Sequence, residues 1–532
     1  MIRRHLRVVA AVVWVLAGMA VVDAALAQKT GGILKIYTPD SPASMSPLEE
    51  STAYAVGPMM GVFNNLVVFD QSVKQNSLQS IVPDLATGWS WNVDGTRLTI
   101  PLRQGVKWHD GKPFTAKDVE CTWNLLLEKS VEKLRVNPRL SAFDNLDRVA
   151  ANGDWEVTFH LKRPQPAFLM LISGGTGAVY PCHVAPEAMR KHPIGTGPFK
   201  FVGYKPNQYI KVTRNPDYWK PGRPYLDGIE YTIIKNVATA MLAFTAVRFD
   251  MTFPTQVTPQ LMKDVRRQVP AAVCEMTPGT VNRHVIMNRA VPPFDNKYVR
   301  LALALAIDRQ AFIDIIAEGQ GDIGTVLQPA PAGLWGMPPE MLKDLPGYDP
   351  DMKKNRQQAR ALMEKAGYGP DKRLKVKVSA RDLPTYRTPA VILLDQLKEI
   401  YIDAELEAVE TATYFPKIRR KDFTIGLNLQ TSGPDPDPAL YQFYACGSSL
   451  NWDSYCNPEV DKMIEQQSIE GDEKKRRQQV WAIERKLAEE AARPIIFYTS
   501  AGTCWHPYVK GVTLLVNSFF NGYRYEDVWL DK

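Results

Sequence analysis

Between Met352 and Leu429 the hydrophobic pattern switches repeatedly between a helical and a strand period, and that switching limits the chain to few architectures. The spacing predicts a helix over Met352 to Ala366, stopped at Gly367, then a strand over Leu374 to Ala380 and a helix over Pro389 to Ile400. A strand over Ala404 to Val409, a helix over Tyr414 to Arg420 and a strand over Phe423 to Leu429 complete the run. Strands separated by helices imply right-handed crossovers, a mainly parallel sheet and an α/β class. Ligands in such sheets bind beyond the carboxyl ends of the strands, which directs attention to the loops Ser379 to Arg387 and Gln430 to Tyr441.

A chain of 532 residues exceeds the roughly 250 to 300 residues that one core can serve, so at least two lobes are expected. Strand patterns run over Leu98 to Trp108, Trp155 to Leu161 and Ile229 to Ile234, and Lys200 to Arg214 reads as a hairpin turning at Lys205. Thr115 and Asp118 have capping-box spacing ahead of a helix through Leu127. Asp295 to Glu318 reads as one or two buried helices. A last helix over Glu473 to Ala492 carries Lys474 to Gln479 as its wet face. The strand IIFYTS then turns back toward the C-terminus, so one lobe is expected to be built from separated parts of the chain.

Arg3, Arg4 and Arg7 precede an uncharged run from Val8 to Val22, and Ala25-Leu26-Ala27 supplies small residues for cleavage, so residues 1–27 read as an export leader removed after Ala27. That run is shorter than the roughly 20 apolar residues of a membrane span. Export makes disulfides available to the six cysteines; Cys446 and Cys456, ten positions apart, form the best pair, while partners for Cys121, Cys182, Cys274 and Cys504 stay open. The formal charge of +7 is small for this length, and no basic stripe interleaved with aromatics points to nucleic acid.

No nucleophile elbow, zinc-protease motif or phosphate loop is present, and the closest histidine pair after the leader, His183 and His192, has no metal-ligand spacing. Neither a catalytic residue, a metal site nor a cofactor is therefore expected. Asp435 and Asp437 could serve as the carboxylate pair of a secreted hydrolase, although two aspartates around a proline also shape a turn. Tyr54, Trp335, Tyr386, Tyr441, Trp452 and Trp505 are the aromatic candidates at lobe junctions, and Arg381 and Arg387 could hold a carboxylate by parallel hydrogen bonds.

Four segments together carry a resemblance: VPDLATGWSWNVDGTRLTIPLRQGVKWHDGKPFTAKDV, GTGPFKFVGYKPNQYIKVTRNPDYW, FDNKYVRLALALAIDR and the Cys446 to Cys456 loop. Over nearly all of the chain after the leader, the sequence resembles the extracytoplasmic solute-binding proteins of ABC transporters, bacterial family 5, the peptide, nickel and opine group. The resemblance implies a periplasmic-binding-protein type II-like fold: two lobes around a ligand cleft, with an extra inserted domain. Domain I would comprise 28–64, 194–274 and 495–532, domain II 65–193, and domain III 275–494. It further implies a periplasmic monomer that binds a peptide or other small polar or aromatic compound and hands it to inner-membrane permease subunits. Dipeptide-binding relatives anchor the ligand carboxylate with an arginine after the first strand of the second lobe and the amine with an aspartate after the third. Arg381 lies in the matching arginine loop and Asp435 in the aspartate loop, with Ser432 as the alternative anchoring position. The expected ligand set is Tyr54, Arg381, Tyr386, Arg387, Thr431, Ser432, Asp435 and Trp452.

Overall fold

A computed structural model describes residues 28–279, 281–330, 332–431, 433–516 and 523–532, so the leader over 1–27 lies outside the described residues. The first lobe is organised by a four-stranded sheet in the order Ile33–Thr38, Gly228–Ile233, Tyr209–Arg214, Phe199–Lys205. Its first two strands run parallel and the others antiparallel. The hairpin turns where the sequence places it, and Asn207 there takes a positive φ of 59°, a conformation asparagine tolerates better than most residues. A separate four-stranded antiparallel sheet, Ser90–Trp91, Arg97–Pro101, Glu156–Leu161 and Leu146–Ala151, packs against the helix Ala116–Leu126. That helix begins at Thr115, whose backbone N–H donates to Asp118 Oδ2 at 2.9 Å.

The second lobe carries a six-stranded sheet in the order Gly321–Asp322, Ile495–Thr499, Val281–Met287, Ile425–Thr431, Leu374–Arg381, Ile402–Val409. Leu374–Arg381 shows why the pattern was readable. Lys375 and Lys377 point to water while Leu374, Val376 and Val378 are buried, and from Ser379 to Arg381 every residue is buried as the strand runs under the neighbouring lobe. This strand is parallel to both of its neighbours. The remaining pairings are antiparallel, so the sheet is mixed rather than mainly parallel. Val281–Met287 and Ile495–Thr499 are the strands by which the chain comes from the first lobe and returns to it, and they therefore run in opposite directions.

Two connectors join the lobes. Val273–Thr277 and Ala501–Trp505 pair antiparallel, with Cys274 opposite Cys504 and joined to it by a disulfide. Where the connectors meet the second sheet, a Cβ on Gly279 would stand 1.6 Å from the Thr499 carbonyl oxygen, so only glycine permits this approach. Cys121–Cys182 and Cys446–Cys456 are also bonded, and among the described residues no cysteine is free.

Helix starts account for most local differences from the sequence reading. Pro384–Lys398 begins five residues earlier than expected, and Pro436–Tyr444 occupies a stretch read as loop. In both, proline is the first helical residue, where its missing N–H costs nothing. Asp295 to Glu318 resolves into two helices, Lys297–Ala306 and Arg309–Ala317. In Glu473–Glu489 the basic run is not uniformly wet, because Arg476 is buried.

On that last helix Glu484 is fully buried and accepts hydrogen bonds from the Thr325 hydroxyl and, at 2.9 Å, from the Leu327 N–H. Burial pushes its carboxyl up to about 7 despite these donors. The folded state thus holds a proton that the unfolded chain releases, and stability falls as pH rises from about 4.5 to about 7. Glu484→Gln removes this term. The variant should gain on the order of 3 kcal/mol relative to the parent between those two pH values, read by denaturant unfolding across the range. Parallel stability curves would refute the assignment.

Candidate functional site

Between the lobes lies a cavity of about 260 Å³, lined from both sides and from the connectors. The second lobe contributes the carboxyl ends of two parallel strands: Arg381 is the last residue of Leu374–Arg381 and Thr431 the last of Ile425–Thr431. Tyr386 adds itself from the first turn of Pro384–Lys398, while Phe415 and Trp452 close the same side. The first lobe faces them with Tyr54, Phe253 and Tyr523. Thr277, Gly279 and Thr499 bring the connectors to the wall, so the cavity touches the parts that must bend if the lobes move.

Arg381 is the best-defined charge in the cleft. Its guanidinium ion-pairs with Asp40, which follows the first strand of the first lobe, and donates to Tyr386 Oη at 2.8 Å and Thr411 Oγ1 at 3.2 and 3.1 Å. The Thr411 hydroxyl in turn donates to Asp40 Oδ2 at 2.7 Å. Tyr54, Tyr386 and Phe415 surround the group, their centroids 5.7, 4.8 and 5.2 Å from Cζ. Arg381 thus lines the cavity but spends its donors on a bond between lobes.

Of the residues expected from sequence, Tyr54, Arg381, Tyr386, Thr431 and Trp452 come together at the cavity. Ser432 lies outside the described residues. Arg387 is exposed on the helix surface and pairs with Asp382 at 3.1 Å, because one residue beyond Tyr386 a helix turns its side chain by about 100°. Asp435 does not line the cavity. It caps the helix Pro436–Tyr444, accepting from the Asp437 N–H at 2.9 Å, and holds Arg476 through both oxygens at 2.7 and 2.8 Å. Asp437 is equally enclosed, by Gln165 Nε2 at 2.9 Å, Ser468 Oγ at 2.8 Å and Arg476 at 3.3 Å. Two carboxylates so committed leave no face for a substrate, and the hydrolase reading loses its residues. Trp335 serves this cluster too, its ring 4.7 Å from the Arg476 guanidinium, and Tyr441 accepts from Arg163. Trp505 belongs to the connectors.

The sequence reading passed over Arg139, Arg283, Gln430 and Gln442, which also form the wall. Arg283 lies on Val281–Met287, donates to Thr499 Oγ1 at 2.8 Å and stands 4.8 Å over the Phe497 ring; burial pushes its guanidinium down to about 10. Arg139 donates to the Glu50 carbonyl at 2.6 Å and is likewise lowered to about 10 by burial. A lone arginine in an alternating strand gives no local signal. Among the described residues no group of His, Cys, Asp and Glu could hold a metal ion, and no helix is long and apolar enough to cross a membrane.

Comparison with known proteins places this geometry in a family. The family model for bacterial extracellular solute-binding proteins, family 5 Middle, matches residues 80–451. The oligopeptide-binding protein AppA of Bacillus subtilis is 27% identical over 433 residues, covering 76% of each chain. The periplasmic murein peptide-binding protein MppA of Escherichia coli is 27% identical over 505 residues, covering 89% of this chain and 88% of its own. Among solved structures, the periplasmic binding protein DppA of Helicobacter pylori in complex with the peptide STSA superposes with a TM-score of 0.84 at 22% identity, covering 95% of this chain and 99% of that one. Bacillus subtilis AppA in complex with a nonapeptide gives 0.82 at 24% identity, covering 95% and 100%.

The enclosed Asp435 has a measurable consequence. Asp435→Ala strips Arg476 of its bidentate partner and should cost about 3 to 5 kcal/mol in denaturant unfolding. A loss of solute affinity at unchanged stability would instead return Asp435 to the ligand.

Proposed function

We infer, from the premise that this chain belongs to the bacterial extracellular solute-binding proteins of family 5, that it is the periplasmic solute-binding component of an ABC importer. It captures a small solute in the cleft between its lobes and delivers it to permease subunits in the inner membrane. The observation that carries this reading is the position of the cavity, which lies at the carboxyl ends of parallel strands, against two connectors and between two lobes. Solute seated there touches both lobes and favours the closed form by its differential contacts. Its walls suit an apolar or aromatic body, and its 260 Å³ lies near the lower edge of the roughly 300 to 1,000 Å³ usual for small-molecule sites.

Peptides are one candidate class, since the relatives compared are named for peptide binding, and small polar or aromatic compounds are another. Tyr54, Arg381, Tyr386, Thr431 and Trp452 form the ligand set, with Arg381 also acting as a latch through Asp40. We place the domains at 28–64 with 194–274 and 495–532, at 65–193, and at 275–494. The mature protein acts as a monomer after loss of residues 1–27.

A solute present at 100 times its Kd should raise the stability of the protein by about 2.7 kcal/mol and be recovered chemically unchanged. Thermal melts against solute libraries, followed by mass spectrometry of the recovered compound, measure both. Turnover of the compound by the purified protein would overturn the binding-protein reading.

A further inference from the structure

Among the described residues, the buried arginines outside the cleft are each met by an acid or by backbone carbonyls, and two in the cleft are not so met. Arg476 is answered by Asp435, Arg493 by Asp453 at 2.8 Å, Arg524 by Asp84 at 2.7 Å and Arg381 by Asp40. Arg309 has no acid but donates to the carbonyls of Ile495 and Gly347 at 2.9 and 2.5 Å, with the Tyr348 ring 3.7 Å from its Cζ. Arg139 and Arg283, 3% and 8% exposed, differ: among the described residues no carboxylate forms an ion pair with either. Arg283 has a single threonine hydroxyl and the face of Phe497. The Arg139 guanidinium donates to the backbone carbonyl of Glu50, whose carboxyl acts on it through charge without forming an ion pair and is itself pushed up to about 7 by burial.

Both residues line the cavity, and the rest of the wall matches them. Among the described lining residues there are three arginines and no Asp, Glu, Lys or His. The buried side-chain atoms without a protein partner among the described lining residues are four donors, Arg139 Nε, Arg283 Nε, Gln430 Nε2 and Trp452 Nε1, one acceptor, Gln442 Oε1, and the hydroxyls of Ser51 and Thr52, which can donate or accept. An ammonium here would be buried beside guanidinium groups with no carboxylate to meet it, a costly arrangement. An oxyanion would find charge and donors already in place, and a guanidinium fork matches a carboxylate through two parallel hydrogen bonds.

Resting on the solute-binding reading above, we propose that the cleft selects an organic anion: a small carboxylate with an aromatic or other apolar body and no free ammonium. Arg283 and Arg139 receive the charge, Gln430 and Trp452 add donors, and the rings of Tyr54, Phe253 and Phe415 take the body.

The test equilibrates the full exported chain with a bacterial small-molecule extract, desalts it, denatures it and identifies the retained compounds by mass spectrometry. The expected compound is acidic and amine-free, and its retention drops about tenfold or more in Arg283→Gln and is partly restored in Arg283→Lys. A retained compound with a free amine, a dipeptide included, or one without negative charge overturns the anion proposal while the solute-binding reading stands. Retention of nothing, with no extract fraction raising the melting temperature, overturns both. A second measurement needs no ligand. Arg283→Met removes a charge that the protein itself leaves unanswered, so the ligand-free variant should melt at or above the parent temperature. A fall of about 5 °C or more, or failure to fold, would mean that the guanidinium is satisfied internally and would overturn the proposal.

Discussion

A guanidinium taken out of water must be met by an acid or by several carbonyls, and in this molecule that requirement decides which distant segments touch. Arg524 reaches Asp84 across 440 positions of sequence and fixes the C-terminal segment against the residue that follows the strand Ile81–Pro83. Arg476 draws the last long helix onto the cap of Pro436–Tyr444, and Arg493 ties the base of the returning strand to Asp453 in the loop closed by Cys446–Cys456. Arg381 and Asp40 apply the same rule between lobes. Each pair is more valuable as an address than as a source of stability, since burial of both partners offsets most of their attraction. Among the described buried arginines, the requirement goes unmet at Arg139 and Arg283, where a third party is expected.

That contrast also separates what could be read in the sequence from what could not. The alternation over 352–429 was legible because strand and helix periods are local, and the observed elements fall within a few residues of the pattern. The two parallel strands end at Arg381 and Thr431, one and two residues beyond the expected Ala380 and Leu429, and the wall residues Tyr54, Tyr386 and Trp452 followed from their places near lobe junctions. Most of the failures concerned what lies beyond a residue's local stretch. Asp435 had the right loop and the right chemistry, but Arg476, 41 positions away in a run that looks like a solvated helix face, claims it. Arg387 sits one residue past a wall position, and a helix start misplaced by five residues hid which way it faces. Cys274 and Cys504 are 230 positions apart, a separation at which sequence says nothing of pairing.

The mixed second sheet illustrates the same limit. Strands in a helix-linked run reveal their direction, because the crossovers between them are right-handed. Val281–Met287 and Ile495–Thr499 have no such link, and their direction follows from the route of the chain between the lobes.

The bond between Cys274 and Cys504 has a topological meaning. With the backbone from 274 to 504 it forms a closed covalent ring that contains the whole second lobe. A protease that cut one surface loop there would open the ring without releasing a fragment, so the protein would remain one molecule. Because the bond lies on the paired connectors themselves, the two strands cannot slide past one another at that point. The lobes are left to move as two plates on a single ribbon, by bending and twisting.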